Sequence, residues 1–143
     1  MSLLKTFVAG VPVAQGSKRV VQHHLIDAND ARLRPWRENV TTQVRDLKRL
    51  ATAPILCPVH VELVFVFPRP KAHLGAAHEL KPKAPMVKTT RPDVDKLIRA
   101  VLDACTDAGL WPDDALVVSV YAKKLYTSNA YKAPGVEIMV EPA

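Results

Sequence analysis

The sequence predicts an α+β fold in which helices pack against a mixed β-sheet, and three observations carry that prediction. Apolar residues make up 48% of the 143 residues and charged residues 24%, the proportions of a folded globular chain. A chain of this length supports one hydrophobic core but not two, so residues 1–143 are expected to form a single domain. The apolar patterns change type along the chain, in the order strand, helix, strand, helix, strand, strand.

Residues 3–13 read as the first strand, punctuated by Gly10 and Pro12. Residues 14–34 carry Gln15, Gly16, Ser17, Lys18, Arg19, Arg32 and Arg34 between short apolar patches, which suits a long loop or a hairpin. A helix is expected from Pro35, whose missing N–H is harmless in a first helical turn. Trp36, Val40, Val44, Leu47 and Leu50 then form one apolar stripe, with Arg37, Arg45, Lys48 and Arg49 off it.

The run VHVELVFVF, Val59 to Phe67, is the most strand-like segment, dense in β-branched and aromatic residues. Residues 68–92 differ in texture. Five prolines fall there, with Arg69, Lys71, Lys81, Lys83, Lys88 and Arg91 against the single acid Glu79. So much proline excludes a central strand or a stable helix and predicts a long basic loop suited to a polyanion. Asp95 is placed to cap a helix from Lys96 to about Asp107, with Gly109 beyond its end. Leu116 to Leu125 and Val136 to Val140 close the chain as strands, joined by the polar turn TSNAYKAPG.

A net charge of +6 and a pI near 9.5 favour a polyanionic partner, nucleic acid first. No apolar run reaches the roughly 18 residues of a membrane span, and no basic segment precedes the apolar N-terminal stretch as in a secretory signal. Cys57 and Cys105 lack metal-ligand spacing and read as buried, reduced thiols of a cytoplasmic protein. The five histidines, His23 and His24 among them, read as surface or hydrogen-bonded groups. With only five glycines and no glycine-rich phosphate loop, no nucleotide cofactor is expected.

The acids gather in RPDVDKLIRAVLDACTDAGLWPDDALVV. If the extended backbone expected before Pro92 continues, Asp93 and Asp95 point to one side, and two close carboxylates call for a shared proton or a cation. On a helical wheel Leu97, Ile98, Val101, Leu102 and Cys105 share the buried face. Asp95, Arg99 and Asp103 form a row opposite them, with Arg99 the expected partner of Asp103. Asp113 and Asp114 stand at the entry to a strand, where adjacent residues diverge, so at most one joins the pair. Three hard oxygen donors suit Mg²⁺, with Mn²⁺ as a substitute, and with no Cys or His nearby in ligand spacing zinc is not the expected ion. Beside a cationic loop, such a site suits phosphodiester hydrolysis.

This stretch, from Arg91 to Val118, resembles the signature of the RusA family of Holliday junction resolvases of bacteria and their prophages. The shared pattern is a D-x-D opening a helix, a basic residue four positions on, D-A, and a D-D before a strand. The resemblance implies a RusA-like fold and a Mg²⁺-dependent endonuclease acting as a symmetrical homodimer on four-way junction DNA. It implies that Asp93, Asp95 and Asp114 are the essential acids and metal ligands, with Asp113 a less certain neighbour of Asp114. Two positions depart from the family. Lys96 stands where Asn is usual, and Arg99 where a catalytic lysine is usual. A guanidinium supplies the charge but not a transferable proton, and Lys96 lies about 60° round the helix from it.

On this reading Arg99 stabilises phosphate charge. Lys18, Arg19, Lys71, Lys81, Lys83, Lys88, Arg91 and Lys96 hold DNA by its backbone. Two alternatives stay open: a nuclease for forks or flaps, and a non-catalytic nucleic-acid-binding module.

Overall fold

The computed structural model describes residues 2–16, 18–21, 24–27, 30–50 and 53–143. Side chains of residues 17–30 are outside that set, so the expected contacts of Lys18 and Arg19, the place of His23 and the side chain of His24 lie outside the described residues.

The chain builds a four-stranded mixed sheet with two helices packed against it. Its strands are β1 (Leu4–Ala9), β4 (Val59–Phe67), β5 (Val117–Tyr126) and β6 (Gly135–Pro142), in the order β1-β6-β4-β5. Between β1 and β4 come a separate antiparallel hairpin of β2 (Lys18–Val21) and β3 (His24–Asp27), then helix α1 (Asp30–Leu50). Helix α2 (Val94–Asp107) lies between β4 and β5. That crossover makes β4 and β5 parallel, because parallel neighbours need a long return connection. The other pairs are antiparallel.

β4 is central and apolar for a physical reason. Val59, Val61, Leu63, Phe65 and Phe67 face the main core, and Val64 and Val66 are buried as well. Only His60 and Glu62 are half-buried. The core side of β6 is Val136, Ile138 and Val140, and Val8 of β1 joins them. From α1 come Trp36, Val40 and Val44; from α2 come Leu97, Val101, Ala104 and Cys105. Small residues at Ala100 and Ala104 let α1 approach closely, and Thr41 Oγ1 donates to the Ala104 carbonyl at 3.3 Å. Arg37 pairs with Asp107 at 3.0 Å across the same two helices.

Several boundaries move from the expected ones. β1 ends at Ala9, since Gly10 takes a φ of 137° that breaks the strand. α1 begins at Asp30, five residues before Pro35, which lies inside it. A proline there removes one helical hydrogen bond, and the extra turn buries Leu33 to 2% exposure. At the other end the stripe stops short: Leu50 is 83% exposed. α2 begins at Val94, so Asp93 rather than Asp95 holds the N-cap position. β5 begins one residue later than expected because Asp114–Leu116 forms a 3₁₀ turn. Cys105 is buried, which pushes its thiol up to about 12, whereas Cys57 is exposed, against expectation.

Candidate active site

The basic loop is a folded connection. Two short 3₁₀ turns, Lys71–His73 and Ala76–His78, are followed by a bridge between Leu74 and Leu80. Arg69 organises it from inside. Its Nε donates to the Thr127 carbonyl at 3.0 Å, Nη1 donates to the Pro85 carbonyl, and its guanidinium lies 5.2 Å from the Tyr126 ring centre. The last part of the loop docks along the end of β5. Tyr126 N–H donates to the Met86 carbonyl at 3.0 Å and Lys88 N–H to the Lys124 carbonyl at 3.0 Å. Lys88 extends over the rings of Phe67 and Tyr126, at 5.3 and 5.4 Å, and donates to Thr90 Oγ1 at 2.8 Å.

This docking delivers Asp93 to the start of α2. Its backbone is extended (φ −72°, ψ 140°), and its carbonyl accepts from Leu97 N–H at 3.1 Å to open the helix. The carboxylate makes no capping hydrogen bond; it faces Lys96 Nζ at 3.7 Å. Asp95 is exposed in the first helical turn, where the helix dipole favours negative charge. The extended geometry expected to carry Asp93 and Asp95 together therefore stops at Asp93. Arg99 is exposed one turn further on.

A cleft of about 820 Å³ opens beside Asp93. Arg32, Lys88, Arg91 and Lys96 line it with Asp93, and its far wall is the 11–16 segment with Gln15. Four cations and one carboxylate make it a receptacle for an anion such as a phosphodiester. Lys71, Lys81 and Lys83 are exposed on the loop outside it.

The second acidic pair lies beyond the other end of α2. Asp113 Oδ1 accepts from Ala115 N–H at 2.8 Å and so caps the 3₁₀ turn that follows it. Asp114 opens the 3₁₀ turn and is close enough to Asp103 to raise that carboxyl's pKa. Burial raises it most; Arg37 opposes, ahead of Arg99, so the expected Arg99 partner is secondary. Among the described residues, Asp93, Asp95 and Asp114 do not form a group of ligand atoms within 4.8 Å. Within one chain Asp93 and Asp95 thus share the start of α2, and Asp114 is not gathered with them. Two hard carboxylates still suit Mg²⁺, which commonly takes one or two with water and substrate phosphate.

The described residues do contain a group that could hold a metal ion, and the sequence reading missed it: His60, Glu62 and Glu141, within 4.8 Å of one another. They sit on the sheet face turned away from the helices, where β4 pairs with β6. His60 Nδ1 lies 2.7 Å from Ser119 Oγ and Nε2 3.4 Å from Glu62 Oε1. Alternation along β4 put His60 and Glu62 on one face, but only the β4–β6 register brings Glu141 opposite His60.

Comparison with known proteins agrees with this architecture. The chain is 29% identical over 144 residues to a Bacillus subtilis (strain 168) protein described as "Uncharacterized protein YqaN", covering 98% of this chain and 96% of that one. Residues 9–141 match the family described as "Endodeoxyribonuclease RusA". With nearly the whole chain inside that match, from the end of β1 through α2 to β6, this protein belongs to the RusA endodeoxyribonuclease family.

Proposed function

We propose that the chain is a Mg²⁺-dependent, structure-specific endonuclease that resolves four-way DNA junctions by paired symmetrical nicks. It would work as a homodimer in the cytoplasm, each 143-residue chain forming one domain. The observation that carries this reading is the cleft at the start of α2. There an uncapped Asp93 meets Lys88, Arg91 and Lys96 in a space of about 820 Å³. Family membership supplies the reaction class, phosphodiester cleavage in DNA.

Each group then has a role. Asp93 and Asp95 would hold the metal ion, which when bound would lower the pKa of its water and neutralise phosphate charge. Arg91 and Lys96 take the phosphate entering the cleft, and Arg99 stabilises the charge that grows on it. Asp114, the third acid of the family signature, is not gathered with them within one chain, so it would act with them only across the subunit contact of the homodimer. Lys71, Lys81, Lys83 and Lys88 follow the DNA backbone along the junction arms, joined by Lys18 and Arg19. Two opposed nicks require two sites related by a two-fold axis, which a homodimer supplies.

The test is cleavage of synthetic four-way junctions in Mg²⁺, with forks and flaps alongside. The unaltered chain is expected to make paired symmetrical incisions in the junction; Asp95→Asn should abolish them and keep junction binding. Undiminished cutting by Asp95→Asn would remove the proposed metal site. Faster cutting of forks or flaps would move the activity to other branched DNA, and tight binding with no cutting in Mg²⁺ or Mn²⁺ would leave a binding module.

A further inference from the structure

Lys124 occupies a position that strand alternation ordinarily gives to an apolar residue. Along β5, Ala122 packs against the core and Tyr126 is buried in it, so Lys124 between them faces the helices. Its ammonium donates to the Thr90 carbonyl at 2.8 Å and to the Pro92 carbonyl at 2.8 Å. Its own carbonyl accepts from Lys88 N–H at 3.0 Å. One residue thus holds both ends of the 88–92 segment, and the second carbonyl belongs to the residue immediately before Asp93. A half-buried ammonium with two carbonyl acceptors is a strong anchor, because charge-assisted bonds are shorter and stronger than neutral ones.

Besides Lys124, Lys88 Nζ donates to Thr90 Oγ1 at 2.8 Å within the segment, and beyond it Leu97 N–H holds the Asp93 carbonyl at 3.1 Å. Asp93 makes no capping bond that would lock its side chain to the helix, and its partner Lys96 stands at 3.7 Å. The direction in which the Asp93 carboxylate enters the cleft is therefore set by the backbone at Thr90–Pro92, which Lys124 holds. Resting on the nuclease reading above, we infer that Lys124 is a positioning residue: from the far end of β5 it fixes the backbone that aims Asp93 into the cleft. It lines no part of that cleft, so it acts through the loop rather than on DNA.

The experiment compares the full chain with Lys124→Met and Lys124→Arg. The measurements are single-turnover junction cleavage at saturating enzyme, junction binding without divalent ion, Mn²⁺-induced thermal shift, and amide exchange. For Lys124→Met the cleavage rate should fall about tenfold or more, as displaced catalytic groups do, with junction affinity held within about threefold. More Mn²⁺ should be needed for the same thermal shift, and exchange should quicken at residues 88–93 but not across β4. Lys124→Arg, which keeps a cation able to bond both carbonyls, should recover most of each. The inference is overturned if Lys124→Met leaves exchange at 88–93 and the Mn²⁺ response unchanged, or if its rate loss merely follows the fraction unfolded and Lys124→Arg restores nothing. Should the unaltered chain cut no junction, the nuclease reading falls instead, and the exchange arm alone decides whether Lys124 anchors the segment.

Discussion

The backbone N–H of Gln15 donates to the carbonyl of Lys96 at 3.2 Å, so the segment after β1 is stitched to the first turn of α2. That bond closes one wall of the cleft. It also draws the Gln15 side chain inward, to 8% exposure, where its Oε1 has no hydrogen-bond partner among the described groups.

An enclosed acceptor without a partner is a standing cost, and an apolar side chain of similar shape removes it. Gln15→Met is expected to raise the free energy of unfolding by about 1 kcal/mol, read from urea denaturation at neutral pH. A loss of that size instead would show that the Gln15 amide is satisfied in solution.

Asp103 gives a pH-dependent prediction. Burial is the main reason its carboxyl sits above the ordinary value of 3.8; Asp114 and Asp107 add to this, and Arg37 and Arg99 oppose it. A carboxyl with a raised folded-state pKa binds its proton more readily folded than unfolded. Stability therefore falls as pH rises through that window, and the penalty is fully present above the folded value. Asp103→Asn should stabilise the protein at neutral pH, and the gain should shrink on acidification and vanish below pH 3.8. Paired denaturation series across this range provide the check; a gain independent of pH would mean that proton linkage is not its source.

What was legible in the sequence follows what is local. The apolar runs of β4 and the spacing of Trp36, Val40 and Val44 need only nearest neighbours on a strand or helix, and they stand as read. The start of α1 was not legible, because Pro35 looks like a boundary until Leu33 is seen to have a core to enter. The insertion of β6 between β1 and β4 is likewise silent, as no local pattern encodes which strand is a neighbour. Lys124 left a faint signal, a lone cation in register with Ala122 and Tyr126. Only the fold reveals that Thr90 and Pro92 meet it. The D-x-D and D-D motifs were plain as text, but which of their side chains share a site is a property of the folded chain.

Gly135 opens β6 directly against β1. A Cβ there would press on the Val8 carbonyl oxygen and the Phe7 ring, and backbone cannot yield as a flexible side chain can. Gly135→Ala should destabilise the protein by about 1–3 kcal/mol, read as a lowered thermal midpoint. Asn39 Nδ2, which donates to the Ala9 carbonyl at 2.7 Å, should then lose its hold as β1 shifts. An unchanged midpoint would mean that β1 does not lie flush on Gly135 in solution.

The loop cations divide into two kinds, and salt dependence separates them. Arg69 and Lys88 are tied into the loop by hydrogen bonds and ring contacts, so removing either disturbs the fold of residues 68–92. Lys71, Lys81 and Lys83 are exposed, and their expected role is phosphate contact. Each such contact releases a counterion, steepening the fall of log affinity with log salt by roughly 0.9. Replacing all three with alanine should therefore flatten the slope by about 3 while weakening binding evenly across junction sequences. Fluorescence anisotropy over a potassium chloride series gives the slope. A parent-like slope in the triple variant would mean that these lysines never meet the DNA, and the basic surface that grips it would have to lie elsewhere on the chain.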